Sequence, residues 1–238
     1  MLDNTVTREI LGNVDVLSRW IFYVLTVIAL GSFVWGFYKR LALWKSGQPG
    51  VRPVSVGVVF RRLFSRVLWQ TAVRRQRKGA GRAHGLLFGG FLVLFVGTVL
   101  IAIEHYSAAA LGRDADNPIF HKGLYFAIYE FVLDLAGLAV LWGCIWFLRR
   151  RLRSDSSMAH VSSDYLVLGL LAGLVLTGYV TEGLRITLEQ TPLPGFSFMG
   201  WLFSRPLEVS GITSANAGPF HLALWWIHVV MALGLIAL

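Results

Sequence analysis

Five stretches of about twenty residues, each nearly free of charge, divide the chain at 20–38, 84–104, 124–148, 164–182 and 219–238. A helix rises ~1.5 Å per residue, so about twenty residues cross a ~30 Å hydrocarbon layer with every backbone hydrogen bond satisfied internally. Few folds other than a membrane bundle accept such a pattern. The expected architecture is an all-α membrane protein, a bundle of five transmembrane helices forming one domain over residues 1–238. Hydrophobic residues make up 55% of the chain and charged residues only 15%, a balance that suits lipid-facing helices better than a soluble domain.

Charge sets the orientation. From 39 to 82 there are twelve Lys or Arg and no Asp or Glu, and the third stretch ends in Arg149-Arg150-Arg151-Leu152-Arg153. Basic loops stay in the cytoplasm, which places the N-terminus outside. The formal net charge of +9 does not imply a nucleic-acid partner, because the basic residues lie between apolar runs and not on an independent domain. Within the first cytoplasmic loop, 54–73 spaces Val, Leu, Phe and Trp between Arg61, Arg62 and Arg66, an amphipathic helix suited to the membrane interface. The mixed-charge N-terminal residues are not expected to form a removable signal peptide. The last stretch lacks the basic cap that closes the first and third, so a continuation into a cytoplasmic part is expected.

Several ionisable residues fall where lipid would penalise them. His221 and His228 stand seven residues apart in the last stretch, about two turns and ~10 Å, on nearly one helix face. His84 and His105 bracket the second stretch, ~31 Å apart. Intramembrane histidines are functional suspects, and two facing helices carrying imidazoles at one depth can ligate both sides of a haem. By depth His105 matches His221, while His84 has no partner in the last stretch as written. His228 is the deepest of the four. His121 and His160 read as surface residues of an outer and an inner loop. Glu130 and Asp134 lie one turn apart in the third stretch and must face protein or water. Glu182 and Arg185 form a polar pair at the outer end of the fourth. The single cysteine, Cys144, reads as a small buried apolar residue and rules out a disulfide framework or an iron–sulfur or zinc site made by this chain alone.

Certain segments resemble a known family. They are Gly81-Arg82-Ala83-His84 with Phe88-Gly89-Gly90-Phe91 and Gly97-Thr98, then Lys122-Gly123-Leu124-Tyr125 with Glu130 and Asp134-Leu135-Ala136-Gly137. Thr177-Gly178-Tyr179 with Glu182-Gly183-Leu184-Arg185, and Leu224-Trp225-Trp226-Ile227-His228, complete the set. In this order on a five-span chain they resemble the membrane cytochrome b subunits like the respiratory nitrate reductase gamma subunit, in the version fused or bound to heterodisulfide-reductase-like iron–sulfur proteins. The resemblance implies a quinone-linked oxidoreductase of a bacterial or archaeal cytoplasmic membrane. Such a protein holds one or two b haems and exchanges electrons between menaquinone and a cytoplasmic iron–sulfur partner, with or without a flavoprotein. Carried over by position, His84 is the inner-haem ligand and His228 an outer-haem ligand, with His105 and His221 as weaker candidates. Arg82 and Arg185 are candidates for the haem propionates, and Glu182 with Arg185 for the quinone site. The chain departs from the nitrate reductase subunit in lacking a second histidine a few turns after His84. A non-redox membrane anchor or transporter with structural histidines is the alternative; the absence of an internal repeat weighs against the transporter.

Overall fold

The computed structural model describes residues 7–47, 55–68, 70–71, 78–113, 117–153 and 162–238, and these are almost wholly helical. Five helices are long and apolar enough to cross a membrane: α1 (Val16–Lys45), α3 (Lys78–Ala110), α4 (Gly123–Arg153), α5 (Ser162–Glu189) and α7 (Ala217–Ala237). Two shorter helices accompany them. α2 (Val56–Arg62) runs on into a π-helical stretch at Leu63–Leu68, and α6 (Phe198–Val209) lies between α5 and α7. The all-α five-span architecture stands as expected, and the first four spanning helices begin earlier and end later than the charge-free stretches. α3, for instance, has 33 residues, ~50 Å of helix against a ~30 Å hydrocarbon layer.

Local chemistry places the ends. Asp15 caps α1 by accepting from the Ser18 N–H at 2.9 Å and from its hydroxyl at 2.6 Å, and that hydroxyl contact holds the Asp15 carboxyl below its ordinary pKa. Gly123 opens α4 at φ +62°, a left-handed turn glycine adopts without strain. Arg150, Arg151 and Arg153 close α4, where basic side chains complement the helix dipole.

Packing follows chain order: α3 lies on α4, α4 on α5, α5 on α6 and α7, and α7 on α1. The α3–α4 seam is made by small residues. A methyl added at Gly143 would come within 2.6 Å of Leu87 Cβ, and one at Gly90 within 2.5 Å of the Ala136 carbonyl. Lipid supplies no hydrophobic drive between helices, so close backbone approach and hydrogen bonds hold them together. Tyr129 donates to the Gly97 carbonyl at 2.9 Å and Tyr179 to that of Asp134 at 2.7 Å. Val140, Cys144, Leu171, Val175 and Tyr179 form the buried core between α4 and α5, so Cys144 is a core residue. α3 and α7, which carry the candidate haem ligands, are not a packed pair.

The apolar side chains of 55–67 are exposed, among them Val59, Phe60, Leu63 and Val67. At helical spacing Val59, Phe60 and Leu63 share one side and Arg61 and Arg62 lie on the other. Residues 54, 69, 72 and 73 of that expected element lie outside the described residues, as does His160.

Candidate functional site at the outer end of the bundle

The N-terminal segment crosses the outer end and ties several helices together. Thr7 pairs with Lys122 in an isolated antiparallel bridge and its hydroxyl donates to the His121 carbonyl at 2.6 Å. One nitrogen of Arg8, Nη1, lies 3.4 Å from Glu130 Oε1 on α4 and 3.5 Å from Glu182 Oε2 on α5. Arg185 grips the same Glu182 through Nε at 2.9 Å and through Nη2, and it donates through Nη1 to Glu189 at 2.7 Å. Glu130 and Arg185 are buried and Glu182 nearly so. Five charged groups, three carboxylates and two guanidiniums, therefore form one network in which each guanidinium is shared between two carboxylates. Glu182 and Arg185 are the pair the sequence suggests. Arg8, 122 residues from Glu130, is the partner the sequence does not show.

Asp134 serves differently. Its carboxylate accepts from the Met199 N–H at 2.7 Å, capping the N-terminus of α6, where a negative charge meets the helix dipole. Glu104 is almost fully buried and accepts three successive backbone N–H groups, from Ile119 (2.5 Å), Phe120 (3.0 Å) and His121 (3.3 Å). It anchors the outer loop to α3.

The loop reading of His121 is corrected by the structure. Its side chain is wholly buried, with neither ring nitrogen hydrogen-bonded, against the rings of Tyr129 (4.5 Å), Phe126 and Tyr125. Being in a loop does not expose a residue when Glu104 draws that loop into the bundle. Burial, with the Arg8 guanidinium second, holds the His121 pKa down to about 4.

Hydrogen bonds at Nδ1 sort the four candidate ligands. An imidazole that binds iron through Nε2 carries its proton on Nδ1, and the group at Nδ1 must accept it. At His228 that group is the Thr177 hydroxyl, at 2.9 Å. Thr177 spends its only proton on the backbone, toward the Gly173 carbonyl at 2.8 Å and the Leu174 carbonyl at 3.1 Å, so it accepts from Nδ1 and leaves the Nε2 lone pair open. At His84, Nδ1 meets Gln70 Oε1 at 2.8 Å, an oxygen able to accept the same proton. His221 is the reverse case. Asn13 Nδ2 donates to the Gly218 carbonyl at 2.8 Å and faces His221 Nδ1 at 3.3 Å. The carbonyl fixes which way the amide points, so Nδ1 accepts and the proton sits on Nε2. His105 uses Nε2 itself, against the Tyr23 hydroxyl at 2.9 Å.

α1 also allows a comparison of depth. Tyr23 bonds His105 while its neighbour Phe22 packs on Trp225, so His105 is level with Trp225 to within about one turn, between His221 and His228. His84 remains ~31 Å further in, with Phe88 and Phe147 around its ring. Arg82 lies at the same inner end and is exposed. The donor set thus fits an axial ligand at His228 and another at His84, on two helices that are not packed on each other. Among the described residues, no cluster of three or more His, Cys, Asp or Glu could hold a metal ion alone.

Comparison with known proteins adds one relative. The chain is 28% identical over 238 aligned residues to a protein named EtfAB:quinone oxidoreductase from Syntrophomonas wolfei, with 92% of this chain and 31% of that protein covered. The chain therefore spans about a third of that relative's length. No protein-family model and no solved structure matches.

Proposed function

We propose that the chain is the membrane part of a quinone-linked oxidoreductase. In this reading it passes electrons between the menaquinone pool and an iron–sulfur or flavin partner on the cytoplasmic side of a bacterial or archaeal cytoplasmic membrane. The name of the relative supports the quinone and the redox partner, and the five apolar helices support the membrane setting. The haem part of the reading rests on the bond between Thr177 and His228 Nδ1, which leaves Nε2 as a free donor inside the bilayer. Haem b, when bound, supplies the one-electron chemistry that a side chain cannot.

In this reading the chain holds one haem or two, with His228 and His84 on different haems because more than ~20 Å of depth separates them, and Arg82 faces a propionate at the inner end. His105 would have to release Tyr23 to serve as a ligand, and His221 would have to lose Asn13. Their weaker standing as ligands thus has a cause in their hydrogen bonds. Glu182 and Arg185, tied to Glu130 through Arg8, form the polar end nearest the outer face and are the groups proposed to meet the quinone. The chain's own contribution is to orient imidazoles, exclude water from the bundle and fix charge at its outer end.

A reduced-minus-oxidised visible spectrum of the purified protein should show the alpha band of b haem. His228→Ala should abolish haem at that site, and Thr177→Val, which keeps the shape but removes the acceptor, should weaken retention by roughly 10- to 100-fold. A spectrum without that band would leave the non-redox anchor or transporter reading standing. Full haem retention in His228→Ala would reject that ligand.

A further inference from the structure

Next to the outer ion network lies a void of about 10 Å³ bounded by Glu130, Glu182, Arg185 and the 191–197 segment, room for about one water molecule. Ser197 lines the same void, and its hydroxyl is buried without a hydrogen-bond partner. Gly200 shows how close these groups are, since a methyl there would touch both Ser197 Oγ and the Glu182 side chain. A buried hydroxyl without a partner costs free energy unless water meets it, and in a largely apolar lining Glu130, Glu182 and Ser197 are the groups that could bind one. Ile186, Thr191 and Pro194 line the void on one side and a cavity of about 530 Å³ on the other. That cavity lies between the end of α5, α6 and the 212–214 turn, with Gln190, Arg205 and Glu208 in its wall.

Charge counting adds a second constraint. The network joins three carboxylates, Glu130, Glu182 and Glu189, to two guanidiniums, Arg8 and Arg185. One negative charge is left over at the edge of an apolar bundle. Tyr129 and Asp134 on α4 and His221 on α7 face the pair from the neighbouring elements, while His121, in the loop before α4, faces Arg8 and Arg185. None of them is a fixed cation. On α6, Arg205 is engaged with Glu208 at 3.0 Å. An excess carboxylate in such a place is neutralised by a proton.

We propose that the void holds an ordered water joining the Ser197 hydroxyl to the Glu130–Glu182 pair, and that this pair is a proton-binding site in exchange with the outer aqueous phase through the neighbouring cavity. The step is a proton transfer alone. A hydronium ion in the cavity gives its proton through the ordered water to a carboxylate oxygen and is left as water; no electron moves. The site does not depend on haem or quinone being bound, so it stands or falls apart from the preceding proposal.

Infrared spectroscopy of the purified full chain at neutral pH tests it directly. The wild type should show the carbonyl stretch of a protonated carboxylic acid that shifts in D2O. The band should vanish in Glu130→Gln or Glu182→Gln and persist in Asp134→Asn. In Ser197→Ala, which removes a hydroxyl and adds no bulk, its deuterium exchange should slow by about tenfold, the worth of one hydrogen bond to a charged group. A band that survives both glutamine substitutions, or no band at all, overturns the proton site. An unchanged exchange rate in Ser197→Ala overturns the water path, and that variant remains informative if the glutamine variants do not fold.

Discussion

A proton on one ring nitrogen or the other separates residues that look alike. His221 and His228 share a helix and nearly a face, yet Asn13 loads the first with its proton on Nε2 and Thr177 loads the second with its proton on Nδ1. His121 takes this further by having no partner for either nitrogen. Its pKa of about 4 in the folded protein lies below the ~6.5 of a solvated imidazole, so between these values the unfolded chain binds the extra proton. Stability from this group is fully present above pH ~6.5 and is lost as pH falls toward 4, by on the order of 3 kcal/mol. Thermal unfolding in detergent should therefore show a Tm that falls across that window, and His121→Phe should flatten the fall. An equally steep fall in the variant would assign the acid sensitivity elsewhere. The depth and apolar flanks of His228 make it legible from sequence, and the paired position of Thr177 in Thr177-Gly178-Tyr179 was there to be read. His121 was not, because its burial depends on Glu104, seventeen residues earlier on another helix.

Elements were legible where lipid dictates them and obscure where protein does. The five spans follow from uninterrupted apolar length. α6 does not, since Pro192, Pro194 and Pro206 suggest an irregular connector, yet a twelve-residue helix forms with Pro206 inside it. Asp134 supplies the missing support by capping Met199, a tertiary contact that no local pattern encodes. The seam between α3 and α4 is likewise readable only once the helices are placed. Gly143 faces Leu87 and the Ala83 carbonyl so closely that Gly143→Leu should force the helices apart and cost about 1–3 kcal/mol. Denaturant titration of the purified protein measures this, and a stability equal to wild type would show that the seam yields without strain.

At the scale of the whole molecule, the two ends differ in how their charge is held. Arg8, Arg19, Arg185 and Arg205 at the outer end each face a carboxylate, whereas the inner loop from 39 to 82 carries no acid at all. An outer end that mixes both signs of charge, against an inner loop of Lys and Arg without acid, reinforces the orientation with the N-terminus outside. Arg113 and Ser46 are exposed at opposite ends, and the native Cys144 is buried. A membrane-impermeant maleimide should therefore label Arg113→Cys in intact cells and Ser46→Cys only after permeabilisation. The reverse pattern would invert the topology.

The strap made by Thr7, Arg8 and Asn13 also constrains the order of biosynthesis. Arg8 leaves the ribosome 122 residues ahead of Glu130, and Asn13 leaves 208 residues ahead of His221. The N-terminus must be translocated and wait at the outer surface while α4, α5 and α7 are threaded in turn. The outer network thus closes last, so a chain that has inserted too few helices, or has inserted them in the wrong sense, exposes an unmatched arginine and glutamate to quality control.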